Sequence, residues 1–514
     1  MRNREKHSLL TKSIEQSTLN RRLGIKGIQL YGTAKRFIIQ YICYAILSLF
    51  TITTCFFSLL DAATGILTAA TIARCILFTG MLCAFGAKLL QENSCCSSKS
   101  FLIIGLPALL MFSWFMLPDQ VPDEIWHIYR ALNIGWCGGP TLDVPDLLTY
   151  QQTPTNYLTY RYALQVRDAW SHMHIVDRTL SGYYSHLYLF SGLLAELGKW
   201  LNLNPLIVVW MARLGNVCAY LIAGYFTLRI IPIGRTTAFL YLLNPMLLEL
   251  EASCSADAVL NMVSNLFIAV FLRVLLNPEP SKADFISLGC LYVLTSLSKQ
   301  AYVLLGGLFL AFVWKHQIRR RIKAFLAAGI VLSLLCVCAL ILVYPWGVDS
   351  ELGYAIDLVR QPRLFCSVMI KTIWERLPFW ISSFAGGTLG AFTVSTWEPC
   401  FWGYLIVIAI SIFYNEGDAC QLLKQQKLYL TLLSLFLILV LTLPFRAWSI
   451  KVDGRSDIIQ GVQGRYYLPF MLLPLIGLIS PSGQVVRKNC YFRFGIFMAV
   501  DLFVVLISIV LTFY

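Results

Sequence analysis

Apolar runs of membrane-spanning length recur along almost the whole sequence, and no other feature restricts the fold so tightly. A helix needs about 20 consecutive apolar residues to cross the hydrocarbon of a bilayer, and fewer when other helices flank it. By that measure spans fall at 36–60, 63–90, 101–117, 205–230, 236–250, 257–276, 285–297, 302–314, 323–344, 401–414, 428–443, 467–479 and 492–513. Several are short, which brackets the count at about 11 to 13. A composition of 58% hydrophobic and 13% charged residues, with mean hydropathy +0.68, leaves too little polar surface for a soluble chain of this length. The expected fold class is an all-α integral membrane bundle whose external loops carry interfacial helices.

Two stretches are too polar to cross. The first, 119–185, is rich in Asp, Arg, His, Tyr and Pro and too long for a tight connection, so it reads as a large loop with one or two surface helices. Residues 183–201 mix apolar and polar positions at helical spacing and belong at the interface. The second stretch is 346–399. The chain then divides into a basic tail (1–35), two extra N-terminal spans (36–100), a core with the first loop inside it (101–345), the second loop (346–399) and C-terminal helices (400–514).

Basic residues orient these pieces. The tail (Arg2, Arg4, Lys6, Arg21, Arg22, Lys35, Arg36) and the segment 315–323 carry the Lys/Arg excess of cytoplasmic loops. Eight of the spans above separate them, so both fall on one side, with Lys424, Lys427, Arg487 and Lys488. By the same alternation Asp123, Asp257, Lys299, the second loop and residues 445–466 emerge together on the opposite, extracytoplasmic face. The net charge of +14 is absorbed by these loops, and no nucleic-acid partner is needed to explain it. The polar N-terminus, about 35 residues before the first span, argues against a cleaved secretory signal.

The sixteen cysteines lie mostly inside apolar runs, where a thiol acts as a small hydrophobe. Only Cys137, Cys366 and Cys400 fall in external segments, so at most one disulfide is expected. Cys95 and Cys96 lack the second pair of a zinc site, and His172 and His174 have no partners at metal spacing. No internal repeat is visible.

The stretch Pro122-Asp123-Glu124-Ile125-Trp126-His127-Ile128-Tyr129-Arg130-Ala131 stands out because it sets two carboxylates, an imidazole and a guanidinium just after the run 101–117. A charge at the bilayer centre costs about 2.5–3.5 kcal/mol on insertion scales, so the cluster belongs where the span leaves the lipid. Asp123 and Glu124, as neighbours, cannot point the same way, whereas Asp123 and His127 at i and i+4 would share a helix face. One carboxylate could act as a general base on a substrate hydroxyl while the other holds structure. Equally, Asp123 could cap a helix and pair with Arg130. On the residues alone both readings stand.

The pattern Pro122-Asp123-Glu124-x-x-His127-x-x-Arg130-Ala131 resembles the signature of the bacterial membrane-protein family called domain of unknown function 2142. Its Asp-Glu-x-x-His core is similar to the first external loop of protein O-mannosyltransferases. Other pieces resemble that family in order: Ser255-Ala256-Asp257, Leu297-Ser298-Lys299-Gln300-Ala301-Tyr302, and Gly461-Val462-Gln463-Gly464-Arg465-Tyr466-Tyr467-Leu468-Pro469. The likeness runs from about Leu117 to near the C-terminus. It departs at Trp126, where the family has a small residue, and in the two spans that precede the motif instead of one.

The resemblance implies a multi-span glycosyltransferase of the C-fold (GT-C-like) class in the inner (plasma) membrane, with a cytoplasmic N-terminus and an extracytoplasmic active site. Its donor would be a polyprenyl-phosphate-linked sugar, its acceptor a cell-surface glycan or a lipid-linked saccharide. Asp123 or Glu124 would deprotonate the acceptor, and Arg465, Lys299 and Arg130 would meet the donor phosphate, Arg through its forked donors and Lys as a point charge. His127, Asp257 and Gln463 would support them. Each has a blander reading: Lys299 as a snorkelling helix end, Arg465 with Tyr466 and Tyr467 as an interfacial anchor, Asp257 as a first-turn carboxylate. No cofactor is implied. A divalent ion on Asp123, Glu124 and His127 is disfavoured, since one short cluster supplies too few separated ligands. Trp374, Trp380 and Trp397 in the second loop fit a membrane interface better than a sugar platform.

A transporter or flippase of a lipid-linked saccharide is the alternative, and would call for ionisable residues in mid-span on both halves of a path. A noncatalytic partner in an assembly complex is the third reading, and would make the Asp123 cluster structural.

Overall fold

The structure, a computed structural model, describes residues 32, 34–61, 68–94, 97–134, 141–149, 157–166, 170–177, 184–314, 329, 331, 350–415, 421–480, 484–485 and 490–514. The basic tail before residue 32, the basic segment 315–323 and almost all of the expected span 323–344 lie outside them, as do Cys95, Cys96, Cys137, Arg487 and Lys488.

Helices dominate, as expected of an all-α integral membrane protein. In chain order they are α1 (Ala34–Asp61), α2 (Ala69–Glu92), α3 (Ser97–Phe115), α4 (Glu124–Leu132), α5 (Tyr157–Leu164), α6 (Leu189–Trp200) and α7 (Pro205–Ile230). Then come α8 (Arg235–Leu242), α9 (Pro245–Glu251), α10 (Ala256–Leu276), α11 (Lys282–Ser298) and a 3-10 segment, Gln300–Trp314. Beyond the gap follow α12 (Glu351–Arg360), α13 (Pro362–Ala385), α14 (Glu398–Ser411), α15 (Lys424–Thr442), α16 (Phe445–Lys451), α17 (Leu468–Gly477) and α18 (Cys490–Phe513). Three small sheets interrupt them: antiparallel β1 (Thr141–Pro145) with β2 (Met173–Asp177), antiparallel β3 (Thr388–Leu389) with β4 (Val394–Ser395), and parallel β5 (Tyr414–Asn415) with β6 (Gln484–Val485).

Among the described residues seven helices are long and apolar enough to cross a membrane: α1, α2, α3, α7, α10, the kinked pair α15–α16, and α18. Several expected spans are shorter than one crossing. The run 236–250 is broken into α8 and α9 because Asn244 and Pro245 start a new helix: the Asn244 side chain accepts from the N–H groups of Met246 and Leu247, and Pro245 takes the first helical position. The run 467–479 yields only ten helical residues in α17, with Pro474 inside. The 3-10 segment rises about 2 Å per residue, so its fifteen residues reach about 30 Å, a full hydrocarbon thickness.

The second polar stretch differs most from expectation, since it contains the 24-residue helix α13. One face of α13 packs inward through Val368, Thr372 and Ser383, while Ile370, Trp374, Leu377 and Ile381 stay exposed. Trp397 is exposed as well, and Trp380 is buried.

The bundle is centred on α7, which packs against α3, α6 and α10. Small residues on its buried face let neighbours approach: a Cβ on Gly215 would stand 2.1 Å from the Phe190 carbonyl oxygen of α6. Burial sorts inner from outer helices, with 78% of the apolar window of α10 buried against 6% of that of α2.

Helix directions follow from contacts at the ends. Phe56 of α1, Phe115 of α3 and Tyr514 after α18 meet ring to ring, at 5.9–6.3 Å between centroids, so these three helices finish at one end. The turn before α4, the start of α10, the end of α11 and the start of α17 lie at that end too. Lys424 and Lys427 lie at the other.

Candidate functional site

The chain leaves α3 through a tight turn, 116–123, in which Asp119 and Asp123 both take left-handed backbone conformations (φ 65° and 64°). The turn sends the two adjacent carboxylates in different directions. Helix α4 is capped by Asp119, whose Oδ1 accepts from the Ile125 N–H at 3.2 Å, and Asp123 makes no side-chain cap. Burial, followed by the nearby Glu124 charge, pushes the Asp119 carboxyl up to about 6.

Glu124 points into the bundle. Its side chain is fully buried and grips the equally buried Arg213 of α7, Nε to Oε1 at 2.8 Å and Nη2 to Oε2 at 2.5 Å. The Cys254 N–H adds 3.0 Å to Oε1 and the Asp119 N–H 3.2 Å to Oε2. Arg213 donates its remaining N–H groups to the carbonyls of Ser113, Met116 and Leu117, closing the frayed end of α3. All four acceptor sites of the carboxylate and all five guanidinium donors are engaged. Glu124 therefore has no lone pair left for a substrate in this arrangement, and its bonds tie α4, α7 and the turn before α10 together.

Asp123 points outward, its side chain 64% exposed. Its partner is Arg465, 342 positions away: Nη2 reaches Oδ2 at 2.9 Å, and Nη1 holds the Pro122 carbonyl at 3.2 Å. The expected pairing with Arg130 is not the one formed, and the expected sharing of a face with His127 fails because Asp123 sits before the helix begins. Arg465 is buried and its Nε has no partner among the described residues.

The segment 461–469 owes its shape to two glycines. Gly461 is left-handed (φ 81°), and a Cβ on Gly464 would stand 2.0 Å from the Trp380 carbonyl oxygen of α13. Gly464 also donates its N–H to Ser383 at 2.8 Å, which fixes the 3-10 turn that presents Arg465 and Tyr466. Gln463 precedes that turn, its Oε1 buried without a donor among the described residues.

Asp257 and Lys299 complete the cluster. Ser255 caps α10 by accepting from the Asp257 N–H at 3.1 Å, and Lys299, just after α11, bonds Asp257 Oδ1. The Lys299 ammonium stands 5.6 Å from the Tyr466 ring centre and the Arg465 guanidinium carbon 5.2 Å, so one ring carries two cations. Beside it opens a cavity of about 240 Å³ lined by Lys299, Ala301, Tyr302, Leu441, Phe445 and Tyr466. Its walls are mostly apolar, with the charge gathered at Lys299.

His127 and Arg130 lean on the turn 185–188, with His127 still within electrostatic reach of Asp257, Lys299, Arg465 and Asp123. The His127 Nδ1 bonds the Tyr188 hydroxyl at 2.8 Å, and Arg130 Nη2 bonds Ser185 at 2.8 Å with its guanidinium 5.8 Å from the Tyr188 ring. Burial, reinforced by Lys299 and Arg465 and opposed by Asp257 and Asp123, pushes the His127 imidazole down to about 4, so the ring is neutral at pH 7.

Sequence reasoning passed over Arg213, Glu249 and Glu251. The signal was present, since an ionisable residue inside or at the end of an apolar run is unusual in itself. Glu249 is buried behind the site, its Oε1 accepting from the Gly390 N–H at 2.6 Å and its Oε2 unpartnered among the described residues. In those residues no group of three His, Cys, Asp or Glu side chains could hold a metal. Cys366 and Cys400 are free thiols, and His172 and His174 are exposed.

A family model described as a predicted membrane protein, DUF2142, matches residues 108–474, well over half the chain. The chain belongs to the DUF2142 family. The DUF2142 match runs from within α3 into α17, so it spans Asp123, Asp257, Lys299 and Arg465 and leaves α1, α2 and α18 outside. It stops short of the C-terminus, where the likeness was expected to extend. No curated protein and no solved structure matches the chain, so similarity to protein O-mannosyltransferases rests on the short motif alone.

Proposed function

We propose that this DUF2142 protein is a membrane glycosyltransferase that moves a sugar from a polyprenyl-phosphate donor to a cell-surface glycan or lipid-linked acceptor, with inversion, on the extracytoplasmic face. The observation that carries the reading is the meeting of Asp123 and Arg465. An exposed carboxylate is held by a buried guanidinium, beside a second cation, Lys299, at an apolar-walled cavity. That is what a reaction between an amphiphilic phosphate and a water-borne hydroxyl requires.

In this reading the Asp123 carboxylate takes the proton of the acceptor hydroxyl, and the acceptor oxygen bonds the anomeric carbon. The bond from that carbon to the phosphate oxygen breaks with its electron pair leaving on the phosphate. Lys299 and the Arg465 Nε would face that developing charge, and fixed donors in a water-poor cleft lower such a barrier most. Asp257 holds Lys299 in place. His127, neutral and bonded to Tyr188, positions α4. The positive-inside rule, applied to Lys424 and Lys427 at the far end, supports an extracytoplasmic site.

The test is turnover of a lipid-linked sugar by purified wild type and Asp123→Asn. A positioned general base contributes about 10²–10⁴-fold, so the variant should lose that much while staying folded. Full activity in Asp123→Asn would remove it as the base. Transport without turnover would favour the lipid-linked saccharide transporter.

A further inference from the structure

Behind the candidate site lies a set of polar side chains that the transferase reading leaves unused. Glu251 closes α9 and is fully buried; among the described residues neither carboxylate oxygen has a hydrogen-bond partner within 3.5 Å, and the Asn261 amide is the side chain that approaches it. Asn261 and Asn265 of α10 and Asn216 of α7 are buried as well, and so is Ser264, which lies between the first two in sequence. Asn216 is tied to the turn that follows α9, since its Nδ2 donates to the Ser253 carbonyl at 2.8 Å. The Asn261 side chain faces the Glu251 carboxylate, and Ser264 and Asn265 follow one turn further along the same face of α10.

The unpartnered atoms of this set are strongly biased. Six are oxygens: Asn216 Oδ1, both Glu251 oxygens, Asn261 Oδ1, Ser264 Oγ and Asn265 Oδ1. Only the amide nitrogens of Asn261 and Asn265 can donate without rotation of a hydroxyl. Two phenols within electrostatic reach of the carboxylate give their protons elsewhere, Tyr220 to the Leu242 carbonyl at 2.7 Å and Tyr241 to the Leu468 carbonyl. The neighbouring cations are taken as well: Lys299 holds Asp257, Arg213 holds Glu124, and Arg465 holds Asp123. Among the described residues no ion pair reaches Glu251.

A buried carboxylate with a surplus of oxygen acceptors and no counter-charge is costly as it stands. Hard oxygen donors of this kind, one charged and the rest neutral, are a ligand set for an alkali or alkaline-earth cation. Charge selects between them, because a single carboxylate neutralises one positive charge and would leave a divalent ion uncompensated in a low dielectric. The carboxylate also ends a short helix whose chain then unwinds over 252–255, an arrangement that suits cations in membrane proteins. We infer that Glu251, Asn261 and Asn216, with Ser264 and Asn265 below them, form a binding site for a monovalent alkali-metal cation that locks α7, α9 and α10 together. The inference is independent of the transferase reading, since a chain with no turnover would still bind the ion.

Thermal unfolding of the purified full-length protein in sodium, potassium or choline chloride, at equal ionic strength and pH, tests it. The unfolding midpoint should rise by several degrees and saturate with sodium or potassium but not with choline. Glu251→Gln should abolish that rise. Asn261→Ala keeps the charge and should move half-saturation to higher cation concentration, so the test survives a Glu251 variant that does not fold. Asn261→Asp supplies a second carboxylate and should shift the stabilising ion to calcium or magnesium. Identical curves in all three salts, the result of a protonated Glu251 with no ion, would overturn the site, as would a sodium effect unchanged in Glu251→Gln or Asn261→Ala.

Discussion

Two neighbouring carboxylates with opposite fates give the sharpest test of the site. Replacing Glu124 by Gln turns one oxygen into an amide nitrogen, so two of its four accepted bonds become donor facing donor. Either Arg213 and the Cys254 N–H lose their oxygen, or Arg213 and the Asp119 N–H do. The Arg213 charge, wholly buried, is then left without a counter-ion. Breaking a buried pair from one side costs about 3–5 kcal/mol, a large share of the roughly 5–15 kcal/mol that holds a typical domain folded. Asp123→Asn differs in kind, because that side chain is mostly exposed, its amide oxygen can still accept from Arg465, and Asp257 remains as a negative charge near the buried guanidinium, so it should cost less than the Glu124 change. Thermal unfolding in detergent, read beside lipid-sugar turnover, should therefore show Glu124→Gln strongly destabilised and Asp123→Asn stable but inactive. A double change, Glu124→Leu with Arg213→Met, should recover part of the stability, short of wild type because the backbone groups of Asp119, Cys254 and the end of α3 lose their partners. A Glu124→Gln protein as stable as wild type and devoid of turnover, beside an active Asp123→Asn, would reverse the two roles and refute the reasoning.

Two further outcomes follow from the geometry. His127 stays neutral in the folded chain down to about pH 4 while an unfolded chain takes up its proton near 6.5, so the unfolded state binds more protons in that window and stability falls as pH drops through it. The loss should approach about 3 kcal/mol by pH 4 relative to His127→Asn, and parallel stability profiles for the two proteins would contradict it. Gly464→Ala sets a Cβ against the Trp380 and Phe384 backbone, and should cost about 1–3 kcal/mol and draw Arg465 away from Asp123. Unfolding and turnover should both suffer, and an unimpaired variant would mean that this close approach is not needed.

The spans were legible because apolar length is a local property, and α1, α2, α3, α7, α10 and α18 lie close to the runs that announced them. What was not legible depended on partners distant in sequence. The run 236–250 looks continuous by hydropathy, and only the capping chemistry of Asn244-Pro245 divides it. Helix α13 hides in a stretch polar enough to read as a loop, since it carries an inward stripe and an exposed apolar one with Arg363, Lys371 and Arg376 between them. Asp123, Lys299 and Arg465 could be gathered on one face by counting crossings, but counting does not say that Arg465 touches Asp123. Nor does it say that Glu124 is spent on Arg213, a residue inside an apolar run whose charge was the one clue to a buried partner.

The backbone at Asp123 also dictates which substitution is informative. A left-handed conformation costs an ordinary L-residue about 1–2 kcal/mol, whereas Asp and Asn adopt it readily. Asp123→Ala would therefore mix the loss of a base with strain in the turn that also places Glu124 on Arg213, and inactivity there would say nothing about chemistry. Asp123→Asn keeps the conformation and the side-chain volume and removes only the charge. Asp123→Gly relieves the backbone and removes the side chain altogether. If the turn merely holds α4 in place, Gly should be the milder change. If Asp123 accepts a proton, Gly and Asn should be equally inactive while both unfold like wild type, and an active Gly variant would leave the carboxylate without a chemical role.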